Sequence, residues 1–274
     1  MPHDGFIQAH LTTEFLGLAF SPLTQEQALS AVSARALGGG MFAYVAMPDV
    51  TDVAALEADP AARARLYADS WLTLNQSRAI EIASSASGVA LPAVSATELC
   101  DALLARVIDP DEPVCIVGGD AGMVATIAAR YRLNNVRWKA LSKSYAESTV
   151  ALTEAAAFVA RARARYTFIC TGAPQAEIIA RMVLRRGDAA GVALCIGEAL
   201  LRLCDRRPSA PMWLARLGFE PLFQNLAEKV AVARRAIGDA LMLAPIWYYW
   251  VRAQLAERAS ISARSAFWRA SSSL

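Results

Sequence analysis

From Pro92 to Ile196, short apolar runs alternate with longer stretches whose apolar residues recur at helical spacing. The runs predict strands over Val114–Val117, Val136–Leu141, Tyr166–Thr171 and Val192–Ile196. The stretches between them predict helices over Thr97–Arg106, Gly122–Tyr131, Glu147–Arg163 and Pro174–Arg185. Strands without polar alternation are covered on both faces, which is the pattern of a parallel sheet between two helical layers. Upstream, Thr24–Leu37 reads as a helix with Thr24 as its N-cap and Gly38-Gly39-Gly40 as its stop. Met41–Met47 reads as a strand, about Thr51 to Tyr67 as a helix interrupted near Pro60, and Asp69–Asn75 as a further strand. The fold class is α/β, a Rossmann-like parallel sheet with helices on both faces and a small N-terminal lobe.

Residues 1–22 show no period and are expected to form a poorly defined segment ahead of an α/β domain over 23–200. Beyond Ile196 the strand pattern stops. Residues 201–260 are expected to build a helical C-terminal appendage, and the Ser- and Ala-rich residues 261–274 a frayed tail. No fixed-period repeat is present.

Composition sharpens the picture of the appendage. Hydrophobic residues make up 55% of the 274 and charged residues 19%, with mean hydropathy +0.32, against about 25% charged in ordinary soluble proteins. The net charge of +2 is unevenly spread. From Lys229 onward, Lys229, Arg234, Arg235, Arg252, Arg258, Arg264 and Arg269 face only Asp239 and Glu257, so this end carries +5 and the rest −3. A nucleic-acid binder would spread basic charge over its body, and nucleic acid is not an expected partner. Here the excess lies beside Trp213, Trp247, Tyr248, Tyr249 and Trp250, rings suited to the headgroup layer of a membrane with arginines suited to lipid phosphates. Arg234, Arg235, Trp247, Tyr248, Trp250 and Arg252 are the candidate membrane and acceptor residues. The longest apolar stretch, Ala240–Val251, is twelve residues with one proline, short of the about 18 needed to span. It fits an interfacial helix, a core helix or a contact with a second copy of the chain.

Cys100, Cys115, Cys170, Cys195 and Cys204 form no C-x-x-C pair and mostly lie in apolar runs, so neither disulfides nor a zinc site is expected. The start Met-Pro-His-Asp-Gly lacks a basic segment followed by an apolar one, so a cytoplasmic location is expected.

In an open parallel sheet, ligands bind beyond the carboxyl ends of the strands. After Val117 come Gly118 and Gly119, where a backbone without Cβ admits a phosphate at a helix N-terminus, or simply makes a tight turn. After Cys170 come Gly172, Pro174, Gln175 and Glu177, a strand-to-helix turn with polar side chains at the sheet edge. Gly197 and Glu198 follow the next strand, with Glu198 either a reactive carboxylate or a helix-start one. Lys143 and Tyr145 follow Leu141, where Tyr145 suits stacking on a base or a solvated loop. The only histidines, His3 and His10, lie outside the sheet pattern, and neither G-x-x-x-x-G-K-[ST] nor G-x-G-x-x-G occurs. P-loop and ordinary dinucleotide chemistry are excluded, as is a histidine base in the sheet domain.

Over roughly residues 40–250 the order and spacing of these pieces resemble the WecG/TagA/CpsF glycosyltransferase family, bacterial enzymes that extend lipid-linked saccharides from nucleotide-sugars. Gly172–Glu177 (GAPQAE) resembles that family's G-A-P-K-Q-E turn, and Cys195–Phe223 resembles its G-V-G-G-x-F-D…R-A-P-x-W…G-L-E-W-L-Y block through Gly197, Ala210, Pro211, Trp213, Leu217, Gly218 and Glu220. Gly118-Gly119, Tyr145 and the Gly88…Leu91-Pro92…Val94…Leu99 stretch support it. The resemblance implies a nucleotide-sugar donor, probed by Gly118, Gly119, Tyr145, Gly172, Pro174, Gln175 and Gly197, and a polyprenyl-diphosphate-linked acceptor at the inner face of the cell membrane. It implies inversion at the sugar without a bound metal or other cofactor.

The polar positions depart from the family. Its D-G aspartate, the proposed base, falls near Leu74–Ser77, where Asn75 and Gln76 stand. An amide does not take up the proton that a carboxylate does. Lysine and glutamine of the turn are Gln175 and Ala176, the arginine before Ala210 is Ser209, and the asparagine after the first strand is Pro48. Two main readings follow: a glycosyltransferase whose base has moved to Glu198 or Glu177, or an inactive homologue that binds nucleotide-sugar or lipid-linked saccharide or scaffolds a synthesis complex. A small-molecule α/β enzyme whose tail is core is the third.

Overall fold

The computed structural model describes residues 12–56, 65–141, 146, 148–204, 238, 241–245, 247, 248 and 250–252. Its centre is a parallel sheet of β3 (Ala43–Ala46), β4 (Leu72–Thr73), β5 (Val114–Gly118), β6 (Val136–Lys139), β7 (Tyr166–Cys170) and β8 (Val192–Cys195), in the order β4-β3-β8-β7-β5-β6. The four central strands are apolar runs almost wholly buried, whereas the edge strand β6 reads Val-Arg-Trp-Lys and is only half covered. Position in the sheet thus follows the density of apolar residues, since only the interior strands lose water on both faces. The α/β expectation is met.

One face carries α1 (Gln25–Leu37), α4 (Ala96–Arg106), α5 (Ala121–Tyr131) and α8 (Ala199–Cys204), packed through Val32, Leu99, Leu103, Ile127 and Leu200. The other carries α2 (Val50–Leu56), α3 (Arg78–Ala86), α6 (Thr149–Ala162) and α7 (Gln175–Arg186), packed through Val53, Ile80, Val159, Ile179 and Val183. Most helices start at a side-chain cap that accepts a first-turn N–H. Thr24 and Gln27 form a reciprocal capping box, and Ser77, Ser95, Asp120 and Ser148 cap α3, α4, α5 and α6. The helix α7 has no such cap, following the cis Ala173–Pro174 bond directly.

Three features differ from the expectations. Within the segment expected to be poorly defined, β1 (Thr13–Phe15) and β2 (Leu18–Phe20) form an antiparallel hairpin whose Phe15 and Phe20 are fully buried. The strand expected over Asp69–Asn75 pairs only at Leu72–Thr73, and α3 follows it where no helix was anticipated. Residues 241–245, 247, 248 and 250–252 are helical, as anticipated, but one face turns to the core: Leu243 is buried, and Trp247 and Trp250 pack against the α6/α7 cluster. Trp247 Nε1 donates to Ser87 Oγ at 2.9 Å, and the Trp250 ring meets Phe15 edge-on at 4.8 Å. Leu241, Met242 and Tyr248 face outward, with the Arg252 guanidinium over the Tyr248 ring. No helix among the described residues is long and apolar enough to cross a membrane.

Candidate functional site

The chain leaves β5 toward β6 on one side, while from β7 it proceeds to β8 on the other. The carboxyl ends of β5 and β7 are therefore a topological switch point, where adjacent connections diverge and leave a crevice. Gly118 and Gly119 lie on its β5 side with φ of 87° and 68°. A Cβ on Gly118 would stand 2.7 Å from the Cys170 carbonyl oxygen, so only glycine lets β5 and β7 close up there. The Gly118 carbonyl accepts from Trp138 Nε1 at 2.8 Å, which fixes the turn from the β6 side. Asp120 Oδ1 takes the Met123 N–H at 2.8 Å, so this helix start already holds a carboxylate.

The β7 side is built differently. Thr171 is buried, Gly172 is exposed, and Pro174 and Gln175 are half-buried at the uncapped start of α7. Gly119 and Gly172 are thus exposed on the two sides, with open space around Gly172 and the Met123 side chain packed where a Cβ of Gly119 would stand. Tyr145 lies outside the described residues, as do Lys143, Arg234, Arg235 and the Arg206–Phe223 part of the resemblance.

The remaining candidates fall at the other strand ends. Asn75, beyond β4, is buried and doubly engaged: its Nδ2 donates to Leu91 O at 3.1 Å and its Oδ1 accepts from Ser77 N at 2.9 Å. Gln76 is half-exposed, and its backbone N–H meets Pro48 O. Gly197 has φ of 53° and opens α8, where the Glu198 side chain is 74% exposed and 4.0 Å from Arg202. Glu177 is the opposite case, 3% exposed in the first turn of α7. Burial pushes its carboxyl up from 4.5 to about 7, with nearby Asp52 adding to the shift and its own backbone N–H opposing it. The oxygens Thr171 Oγ1 and Glu177 Oε2 are buried without a hydrogen-bond partner among the described residues.

Sequence reasoning passed over Asp49 and Asp52. Asp49 Oδ1 accepts from Thr51 N, Thr51 Oγ1 and Asp52 N, while Asp52 Oδ2 accepts from Asp49 N at 2.9 Å, a reciprocal box at the start of α2. The D-x-x-D spacing after an apolar strand carries that signal. Trp138 and Thr171 had no sequence signal beyond their strand ends.

A family model described as Glycosyl transferase WecG/TagA/CpsF family matches residues 13–259. The chain belongs to the WecG/TagA/CpsF glycosyltransferase family. The match begins at the hairpin and runs past the helical residues 241–245, 247, 248 and 250–252, so both are part of the family's extent rather than additions to it. No curated protein matches the chain. Membership supports sugar transfer in cell-surface polymer biosynthesis from a sugar donor to a glycan acceptor.

Proposed function

We propose that this WecG/TagA/CpsF glycosyltransferase transfers a sugar from a nucleotide-sugar, UDP-linked, to a polyprenyl-diphosphate-linked saccharide, without a metal or other cofactor. The observation that carries the reading is the switch point at the carboxyl ends of β5 and β7, where Gly119 and Gly172 are exposed and α7 starts without a side-chain cap. A diphosphate placed there meets backbone N–H groups and the positive end of a helix, with Gln175 at the rim. The acceptor approaches along the outward face of the C-terminal helix, where Leu241, Met242 and Tyr248 are exposed beside Arg252. That face suits the inner surface of the cell membrane, and exopolysaccharide, capsule or cell-wall polymer assembly is the setting such an acceptor implies.

The engaged amide of Asn75 favours a second reading, an inactive homologue that binds the same ligands or scaffolds a synthesis complex. Turnover decides between them. Purified protein is incubated with a panel of UDP-sugars and polyprenyl-diphosphate-GlcNAc, and product is followed by mass spectrometry. Acceptor extended by one sugar is the expected result; donor binding by calorimetry without transfer would establish the inactive homologue instead.

A further inference from the structure

The carboxylates at the carboxyl ends of the described strands are Asp49, Asp52, Asp120, Glu177 and Glu198. Asp49 and Asp120 spend an oxygen on capping α2 and α5, and Asp52 Oδ2 holds the Asp49 N–H. Glu198 lies 74% exposed, 4.0 Å from Arg202. Of these, Glu177 alone combines enclosure with an oxygen that no described residue holds. It is approached by Asp52 from α2, Tyr44 from β3 and Cys195 from β8. The Tyr44 hydroxyl donates to Leu66 O, and Arg181, one turn along α7, is tied to Asp69. No cation among the described residues pairs with Glu177.

Resting on the transferase reading above, we propose that Glu177 is the general base of the reaction, accepting the acceptor's hydroxyl proton on Oε2, with Asp52 as the positioning residue that favours the protonated product. The hydroxyl oxygen bonds to the anomeric carbon, and the bond from that carbon to the diphosphate oxygen breaks. The nucleoside diphosphate departs with that electron pair, while the proton rests on Glu177 and passes to water on product release. A carboxylate in water is a poor base for a sugar hydroxyl; one withdrawn from water and facing a second negative charge holds a proton near neutral pH. Glu177 is 3% exposed, so the proposed step requires an opening that admits the acceptor hydroxyl, and we place that opening between α7 and the α2 segment that carries Asp52.

The test uses full-length wild type, Glu177→Gln, Glu177→Asp and Asp52→Asn, with single-turnover rates measured from pH 5.5 to 9 on the most active UDP-sugar and polyprenyl-diphosphate-GlcNAc. Circular dichroism melts establish that each variant folds. The wild-type rate should rise with pH through a limb near 7. Glu177→Gln should lose at least about 100-fold, within the usual range for a removed base, and should lose the limb while binding UDP within twofold of wild type. Glu177→Asp should recover part of the rate, and Asp52→Asn should move the limb to lower pH. Hydrogen exchange at Val50–Leu56 should quicken when the acceptor is bound. A folded Glu177→Gln enzyme within tenfold of wild type and with the limb intact would overturn the role of Glu177 while leaving the transferase reading standing. Unchanged exchange in α2 would also overturn it, because the acceptor would not have reached the carboxyl. A wild type without turnover on any donor overturns the transferase reading first, and the base with it.

Discussion

At Glu177 the folded protein holds a proton that the unfolded chain releases. The carboxyl titrates near 4.5 when exposed and at about 7 in the fold, with burial as the main cause. Between those values the native state binds the extra proton, so stability falls as pH rises. The contribution is fully present below about pH 4.5 and is lost as pH passes 7, amounting to about 3 kcal/mol for a shift of this size. Glu177→Gln keeps the shape without the titration. Urea unfolding at pH 5 and pH 8 should therefore show wild type losing stability relative to the variant; parallel changes in both would show that the carboxyl is not held neutral by the fold. The glycines of the crevice make a second pair of expectations. Gly118→Ala sets a Cβ against the Cys170 carbonyl at a φ of 87°, and should cost about 1–3 kcal/mol. A Cβ on Gly172 meets nothing within 4 Å and its φ is not positive, so Gly172→Ala should melt like wild type. If a diphosphate lies against that backbone, the same variant should bind UDP at least tenfold more weakly in calorimetry; unaltered affinity would move the donor elsewhere.

At the scale of elements, what could be read in the sequence follows from how many faces each element buries. The strands β3, β5, β7 and β8 are covered on both sides and announce themselves as apolar runs. The hairpin did not, because strands of three residues are too short to show a period of two, although Phe15 and Phe20 anchor it. The helix α3 was hidden by its serines and by having Ile80 and Ser84 as its buried residues, leaving only the Ser77 cap as a signal. At the site, the glycine turns were legible because backbone shape demands glycine. The state of Asn75 and the setting of Glu177 were not, because both depend on partners distant in sequence, Leu91 for one and Asp52 for the other. The C-terminal helix shows the same limit: aromatic residues on every side say that it is amphiphilic, not which face meets the domain. With Trp247 and Trp250 inward and Leu241, Met242 and Tyr248 outward, the two faces should separate by mutation. Replacing Leu241 and Tyr248 with serine should leave the melting temperature within about 1 °C, since exposed side chains contribute little to stability. Flotation with vesicles containing phosphatidylglycerol should fall several-fold; binding equal to wild type would remove this face from the membrane contact.

For the molecule as a whole, the charge asymmetry of the chain and its packing pull toward different pictures of the C-terminal end. A +5 end on a −3 body looks like an attachable anchor, separable from a self-sufficient domain. The contacts argue otherwise. Trp250 stacks edge-on against Phe15 of the hairpin, Trp247 is hydrogen-bonded to Ser87 beyond α3, and Leu243 is buried in the cluster that also holds Val159, Ile179 and Val183. Three elements that are remote in sequence meet there, and each lends apolar surface to the others. Deleting residues 241–274 would uncover Phe15 and the α3 end of that cluster. Losing two partly buried tryptophans and a buried leucine should cost several kcal/mol, at roughly 2–5 kcal/mol for each fully buried large side chain and less for those half-covered. The truncated chain should therefore melt at least about 10 °C lower than the full chain, or fail to fold, as followed by circular dichroism and by proteolysis at the hairpin. Trp250→Ala should produce a smaller shift in the same direction, with enhanced cleavage near Phe15. A truncated protein that melts with the full chain would show the C-terminal helix to be an independent anchor, and the ring contacts with Phe15 and Ser87 to contribute nothing to the stability of the domain.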